Sequence, residues 1–149
     1  MSKIKLVGRV LSLFVSEKGN SERISKERIT LDTQGILGDK FYAKDMERSV
    51  LLTTQESYTL ALNHKIEMDA GSLGENILID YTPYHLELGT QLKIGNVIFE
   101  IAQNCTICNH LSSIDKKLPT LLKDDRGIFI KVVKEGKVKV GDLVYLMNK

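Results

Sequence analysis

The sequence predicts a β-dominated fold, closed or nearly closed into a barrel, with one or two short helices. Short runs of β-branched and aromatic residues recur along its length, each bounded by glycine or polar turn residues. Only two stretches suit helices, so few elements are on hand to cover a sheet. Closing the sheet on itself is then the simplest way to remove exposed strand edges.

In order, Lys5 to Phe14 reads as a strand, with Gly8 marking a bulge or a bend. Residues 16–26 are almost wholly polar and read as an exposed, mobile loop. Apolar residues resume at Ile29 and Leu31, and a glycine-bracketed turn follows from Gly35 to Asp39. Ser49 to Leu52 is a short strand running into a helix. Thr53 with Glu56 three residues later fits a capping box, and Tyr58, Ala61 and Leu62 supply the apolar face. A second bracketed turn, Gly71 to Glu75, echoes the first and leads into a strand at Asn76 to Ile79. A stronger echo pairs Lys93 to Phe99 with Lys139 to Tyr145: in each, glycine followed by Asn or Asp makes a turn before a β-prone run. Between these echoes, Pro119 with Leu118, Leu121 and Leu122 suggests a helical turn or two, and Gly127 to Val133 a strand.

At 149 residues the chain is expected to form one domain, 1–149, burying about 68–70% of its unfolded surface. A composition of 42% hydrophobic and 27% charged residues excludes disordered and fibrous classes. The net charge of +2, with basic and acidic residues interspersed, argues against nucleic acid as a partner. No apolar run approaches the roughly 20 residues that span a bilayer, and no cleavage signal follows the first strand. No membrane partner and a cytoplasmic location are therefore expected. The two cysteines stand three positions apart, unlike the disulfide frameworks of secreted domains, so reduced thiols are expected.

Chemistry concentrates at one place. The strand Val97 to Ala102 runs into Gln103, Asn104, Cys105, Thr106, Ile107, Cys108, Asn109 and His110, delivering both thiols at a strand end. A thiolate is both nucleophile and soft-metal ligand. Buried small hydrophobe is the plain alternative for Cys108. Cys105 and Cys108 also admit a thiol-redox pair, or a metal site with His110, although His64, His85 and His110 do not recur at zinc-finger spacing.

Gly35, Gly38 and Asp39, then Arg48, then Gly71, Gly74, Glu75 and Asn76, then Cys108 with Leu111, then Arg126 and Gly127, and last Gly141 and Asp142 stand in the order and spacing of a MOSC domain. The resemblance covers about residues 16–145. That family is named for the C-terminal part of molybdenum cofactor sulfurase. The resemblance implies a MOSC-type barrel that binds the molybdenum cofactor (molybdopterin) or carries sulfur for it, with Cys108 as persulfide carrier or molybdenum ligand. Arg48 and Arg126 are the candidates for gripping a cofactor phosphate, since a planar guanidinium does so bidentately. Gly74, Glu75 and Asn76 are candidates for holding the pterin, Asp39 reads as a turn-stabilising side chain, and Lys18 and Lys40 as solvated surface. Partners implied are the cofactor itself or a sulfur donor such as a pyridoxal-phosphate-dependent desulfurase. A molybdenum-dependent reductase component acting on N-hydroxylated compounds is the alternative, and it would need a separate electron-transfer partner. No pyridoxal phosphate is expected on this chain. Lys40 and Phe41 replace a histidine frequent in the family, Ile107 a proline, and Cys105 a basic residue.

Overall fold

The computed structural model describes residues 3–17, 19, 23–104, 114–122 and 126–148. Its elements are β1 (Lys3–Ser16), β2 (Arg23–Lys26), β3 (Arg28–Asp32), β4 (Gly35–Ile36), β5 (Val50–Thr54) and α1 (Gln55–Asn63). There follow β6 (Ile77–Ile79), β7 (Gln91–Ile94), β8 (Val97–Asn104), α2 (Leu118–Leu121), β9 (Ile128–Lys134), β10 (Gly136–Lys139) and β11 (Leu143–Asn148). Seven strands close into a barrel in the order β11, β7, β8, β9, β5, β6, β1. The seal is the antiparallel β1–β11 ladder, from Lys3 opposite Asn148 to Arg9 opposite Leu143. The β-dominated barrel expected from the sequence is what the chain forms, with two short helices among the described residues.

Alternation builds the core. In β9 the side chains of Ile128, Ile130 and Val132 are buried while Phe129 and Lys131 are only half-buried, as the two-residue period of a strand requires. Phe99, Leu52, Ile77 and Leu92, none of them measurably exposed, fill the interior with the other inward positions. A second, smaller core of Ala61, Ile66, Leu73, Leu118 and Leu122 lies between α1 and α2. All barrel ladders are antiparallel except β5 with β6, which runs parallel because α1 and the segment after it carry the chain back to the same end. β10, β3 and β4 form a separate three-stranded sheet.

Gly8 does mark a bulge, with the β1–β11 register shifting between Leu6 and Gly8. Three local expectations need correction. Residues 16–26 are not wholly loop, because Arg23–Lys26 pairs with the end of β1, from Ser16 opposite Arg23 to Leu13 opposite Lys26. The helix cap is Thr54, whose hydroxyl accepts from the Glu56 N–H at 3.4 Å; Thr53 is buried in β5, and Leu62 is 56% exposed instead of packed. The stronger echo folds two ways: the first copy is the β7–β8 hairpin, while the second leads from the small sheet into the barrel.

The two echoed turns nevertheless pack together. The Gly95 N–H donates to the Leu143 carbonyl at 3.3 Å, and Asn96 Oδ1 accepts from the Lys137 N–H at 2.7 Å. A Cβ on Gly95 would lie 2.5 Å from Asp142 Oδ2, and its φ is +60°, so both space and conformation require glycine there. No helix among the described residues is long and apolar enough to cross a membrane.

Candidate functional site

The two glycine-bracketed turns, more than thirty positions apart in the chain, are joined through Asn76. Its amide Nδ2 donates to the Phe14 carbonyl at 3.1 Å and to Asp39 Oδ1 at 3.4 Å, while its Oδ1 accepts from the Leu51 N–H at 3.0 Å. Asp39 in turn takes the Ser16 N–H at 2.7 Å and the Phe41 N–H at 3.0 Å. Both side chains are buried and spend their polar atoms on neighbouring backbone.

Glu75 is completely buried. Tyr58 reaches it from α1, with its hydroxyl 2.8 and 2.7 Å from the two carboxylate oxygens, and the Gly71 N–H donates to Oε2 at 3.0 Å. The same hydroxyl accepts from the N–H groups of Gly71 (3.1 Å) and Leu73 (3.2 Å). Burial, then the charge and hydrogen bond of Glu75, push the Tyr58 phenol far above its usual range, so it stays protonated at neutral pH.

Over this turn two arginines converge. Arg126, 7% exposed, stands at the mouth of β9 and donates from Nε (3.2 Å) and Nη2 (3.0 Å) to the Leu73 carbonyl. Its own carbonyl accepts from the Thr53 hydroxyl at 2.9 Å, which ties it to β5. Arg23, at the start of β2, donates from Nη1 to the Glu75 carbonyl at 3.2 Å. Gly74 lies between them: a Cβ there would sit 3.5 Å from Arg126 Nη2 and 3.8 Å from Arg23 Nη2, and its φ of +90° favours glycine. Burial lowers the Arg23 pKa, and the carboxylates of Asp39 and Glu75 and the Tyr58 ring oppose that shift, while Arg126 adds to it. An arginine so placed remains charged. The result is a pair of guanidinium groups on a glycine-floored turn, backed by two buried carboxylates. Planar cations in this arrangement suit a phosphate or another oxyanion.

The structure thus brings Gly74, Glu75, Asn76 and Arg126 together. Arg48 is exposed at the start of β5, its guanidinium 5.0 Å from the centre of the Phe129 ring, and no hydrogen bond or ion pair joins it to the cluster among the described residues. Lys40 is exposed and lies over the Phe41 ring at 5.1 Å. Cys105, Cys108, His110, Leu111 and Lys18 lie outside the described residues, and with them the two-thiol and three-ligand alternatives. The last described residue before Cys105 is Asn104, which pairs with Ile128, two positions after Arg126.

Sequence reasoning missed Arg23, which it left in the polar loop. A signal was present: Glu22, Arg23, Ile24 and Ser25 are repeated almost unchanged as Glu27, Arg28, Ile29 and Thr30, and the second copy makes β3.

A MOSC domain family model matches residues 32–145. No curated protein matches the chain. Among solved structures, the YuaD protein from Bacillus subtilis aligns over 100% of both chains with a TM-score of 0.85 at 15% identity. YiiM from Escherichia coli aligns over 95% of this chain and 70% of its own with a TM-score of 0.72 at 19% identity. YiiM from Geobacillus stearothermophilus aligns over 99% of this chain and 76% of its own, with a TM-score of 0.66 at 14% identity. At these identities the structural likeness speaks for the fold.

Proposed function

The chain belongs to the MOSC domain family, and from that premise we propose that it binds the molybdenum cofactor or carries sulfur for it, with Cys108 as the working thiol. The observation that supports this reading is the paired guanidinium groups of Arg23 and Arg126 over Gly74. Two guanidinium groups beside a glycine whose φ is +90° suit the anionic end of such a cofactor. Arg23 and Arg126 would hold the phosphate, and a Cys108 thiolate would suit molybdenum or sulfane sulfur, both of them soft partners. Cys108 is four residues beyond Asn104, so the chain holds its Cα within about 14 Å of the Asn104 Cα. Such a cofactor carries the redox chemistry when bound, while the protein supplies binding, orientation and electrostatics.

As a sulfur carrier, the Cys108 thiolate attacks the terminal sulfur of a donor persulfide. A new S–S bond forms on Cys108 as the donor thiolate leaves. A pyridoxal-phosphate-dependent desulfurase is the class of donor that fits. A cation beside that thiol would favour the thiolate and so raise the fraction able to attack.

The test is to purify the protein from a host that makes molybdenum cofactor, then measure bound molybdenum, pterin and the intact mass. Cofactor in the parent, or a one-sulfur mass increment on Cys108, is expected, each lost in Cys108→Ser and weakened in Arg126→Gln. A Cys108→Ser protein indistinguishable from the parent in every readout overturns the proposal.

A further inference from the structure

A second basic feature shares no residue with the arginine pair. Along β1, the ladder to β11 ends at Arg9 and the ladder to β2 begins at Leu13, and beside Leu11 and Ser12 a groove of about 540 Å³ opens. Its rim carries Lys26 from the end of β2, Arg28 from the start of β3 and Lys139 from the end of β10. Ser12, Ser25 and Glu27 complete its polar lining. Arg28 and Lys139 are register partners in the β3–β10 ladder, so two cations stand directly across from one another. Like charges so opposed destabilise a sheet. Among the described residues the side-chain ion pairs are those of Lys131 with Glu47 and Glu100, and none involves these three cations. Three cations therefore face one open concavity with a single carboxylate, Glu27, among them.

We propose that this groove binds a small soluble ligand bearing a diphosphate. Its volume lies within the range of small-molecule sites. Three cations against one carboxylate leave a local surplus for a multiply charged anion, and two serine hydroxyls add neutral donors. The modest net charge and the interspersed acidic residues of the chain favour a compact anion over a nucleic acid. The site is separate from the arginine pair and stands or falls independently of it.

Inorganic pyrophosphate is the probe, titrated calorimetrically into the purified full chain at low ionic strength. One saturable site is expected. Arg28→Glu and Lys139→Glu should each weaken it about tenfold, the size expected when an attraction a few ångströms away becomes a repulsion. Lys116→Glu, an equal charge change on the exposed turn before α2, should leave affinity within about twofold. Melting curves establish that each variant is folded; because the Arg28–Lys139 opposition is relieved, neither groove variant should melt below the parent. Absence of saturable binding, an equal loss in Lys116→Glu, loss only in Arg23→Gln or Arg126→Gln, or tighter groove-dependent binding of a short single-stranded oligonucleotide would each overturn the proposal.

Discussion

Tyr58 and Glu75 show how a turn can be held by one side-chain pair. The phenol donates to the carboxylate and accepts two backbone N–H groups, so Tyr58→Phe takes the Leu73 N–H's partner away and leaves buried Glu75 with the Gly71 N–H in place of two donors. A loss of about 1–3 kcal/mol is expected in urea denaturation, the usual cost of an orphaned buried polar group. Tyr84 offers a pH test. Burial pushes its phenol up to about 12 from an ordinary value of 10.0, against hydrogen bonds to Ser57 and the Thr54 N–H that act the other way. The folded state thus holds the proton more tightly than the unfolded one, so this contribution is complete below about pH 10 and is lost as pH rises towards 12. Melting temperature should fall across that window, and less steeply in Tyr84→Phe. Glu75, Asn76 and Arg126 were legible as candidates because a glycine turn and a family pattern flag them, and Asp39 as a turn-stabilising side chain, the role its bonds to the Ser16 and Phe41 N–H groups fit. That Glu75 and Asn76 turn inwards, onto the Tyr58 hydroxyl and neighbouring backbone, was not legible, since only tertiary approach decides which groups they meet. Arg23 was hidden by a polar neighbourhood, and what orders it is a hairpin with the end of β1, Arg23 standing opposite Ser16.

At the scale of elements, α1 is short and weakly amphipathic, and its start rests on Thr54. Thr54→Ala should cost about 0.5–1 kcal/mol in thermal unfolding, the low end for a cap, because its hydrogen bond to the Glu56 N–H is long at 3.4 Å. The one-residue misplacement of this cap has a simple origin. Thr53 and Thr54 both suit a cap and both pair with β6, and what separates them is that the Thr53 hydroxyl donates to the Arg126 carbonyl while the Thr54 hydroxyl takes the Glu56 N–H. β2 escaped notice for a related reason: with four residues and one apolar position it has no readable alternation, and its order comes from the adjoining strand. β8 and β9, with sustained alternation, were clear from the start. Phe99, wholly buried in β8, should cost about 3–5 kcal/mol when replaced by alanine, measured by urea denaturation.

For the whole molecule, strand-rich composition and scarce helices were enough to predict closure, because exposed strand edges are a liability and closing the sheet removes them from the barrel. Strand order was not predictable: the echoed segments look alike yet serve different sheets, and the parallel β5–β6 pair depends on where the crossover packs. The sealing ladder has a consequence for how the protein is made. Because the first half of β1, from Lys3 to Arg9, is laddered to β11 while its second half pairs with β2 and β6, a ribosome elongating this chain carries an unclosed barrel, that half-strand lacking a mate, until β11 has been made. A polypeptide stopped after Gly141 should accordingly pellet or recruit chaperones, whereas one released after Asn148 should stay in the supernatant.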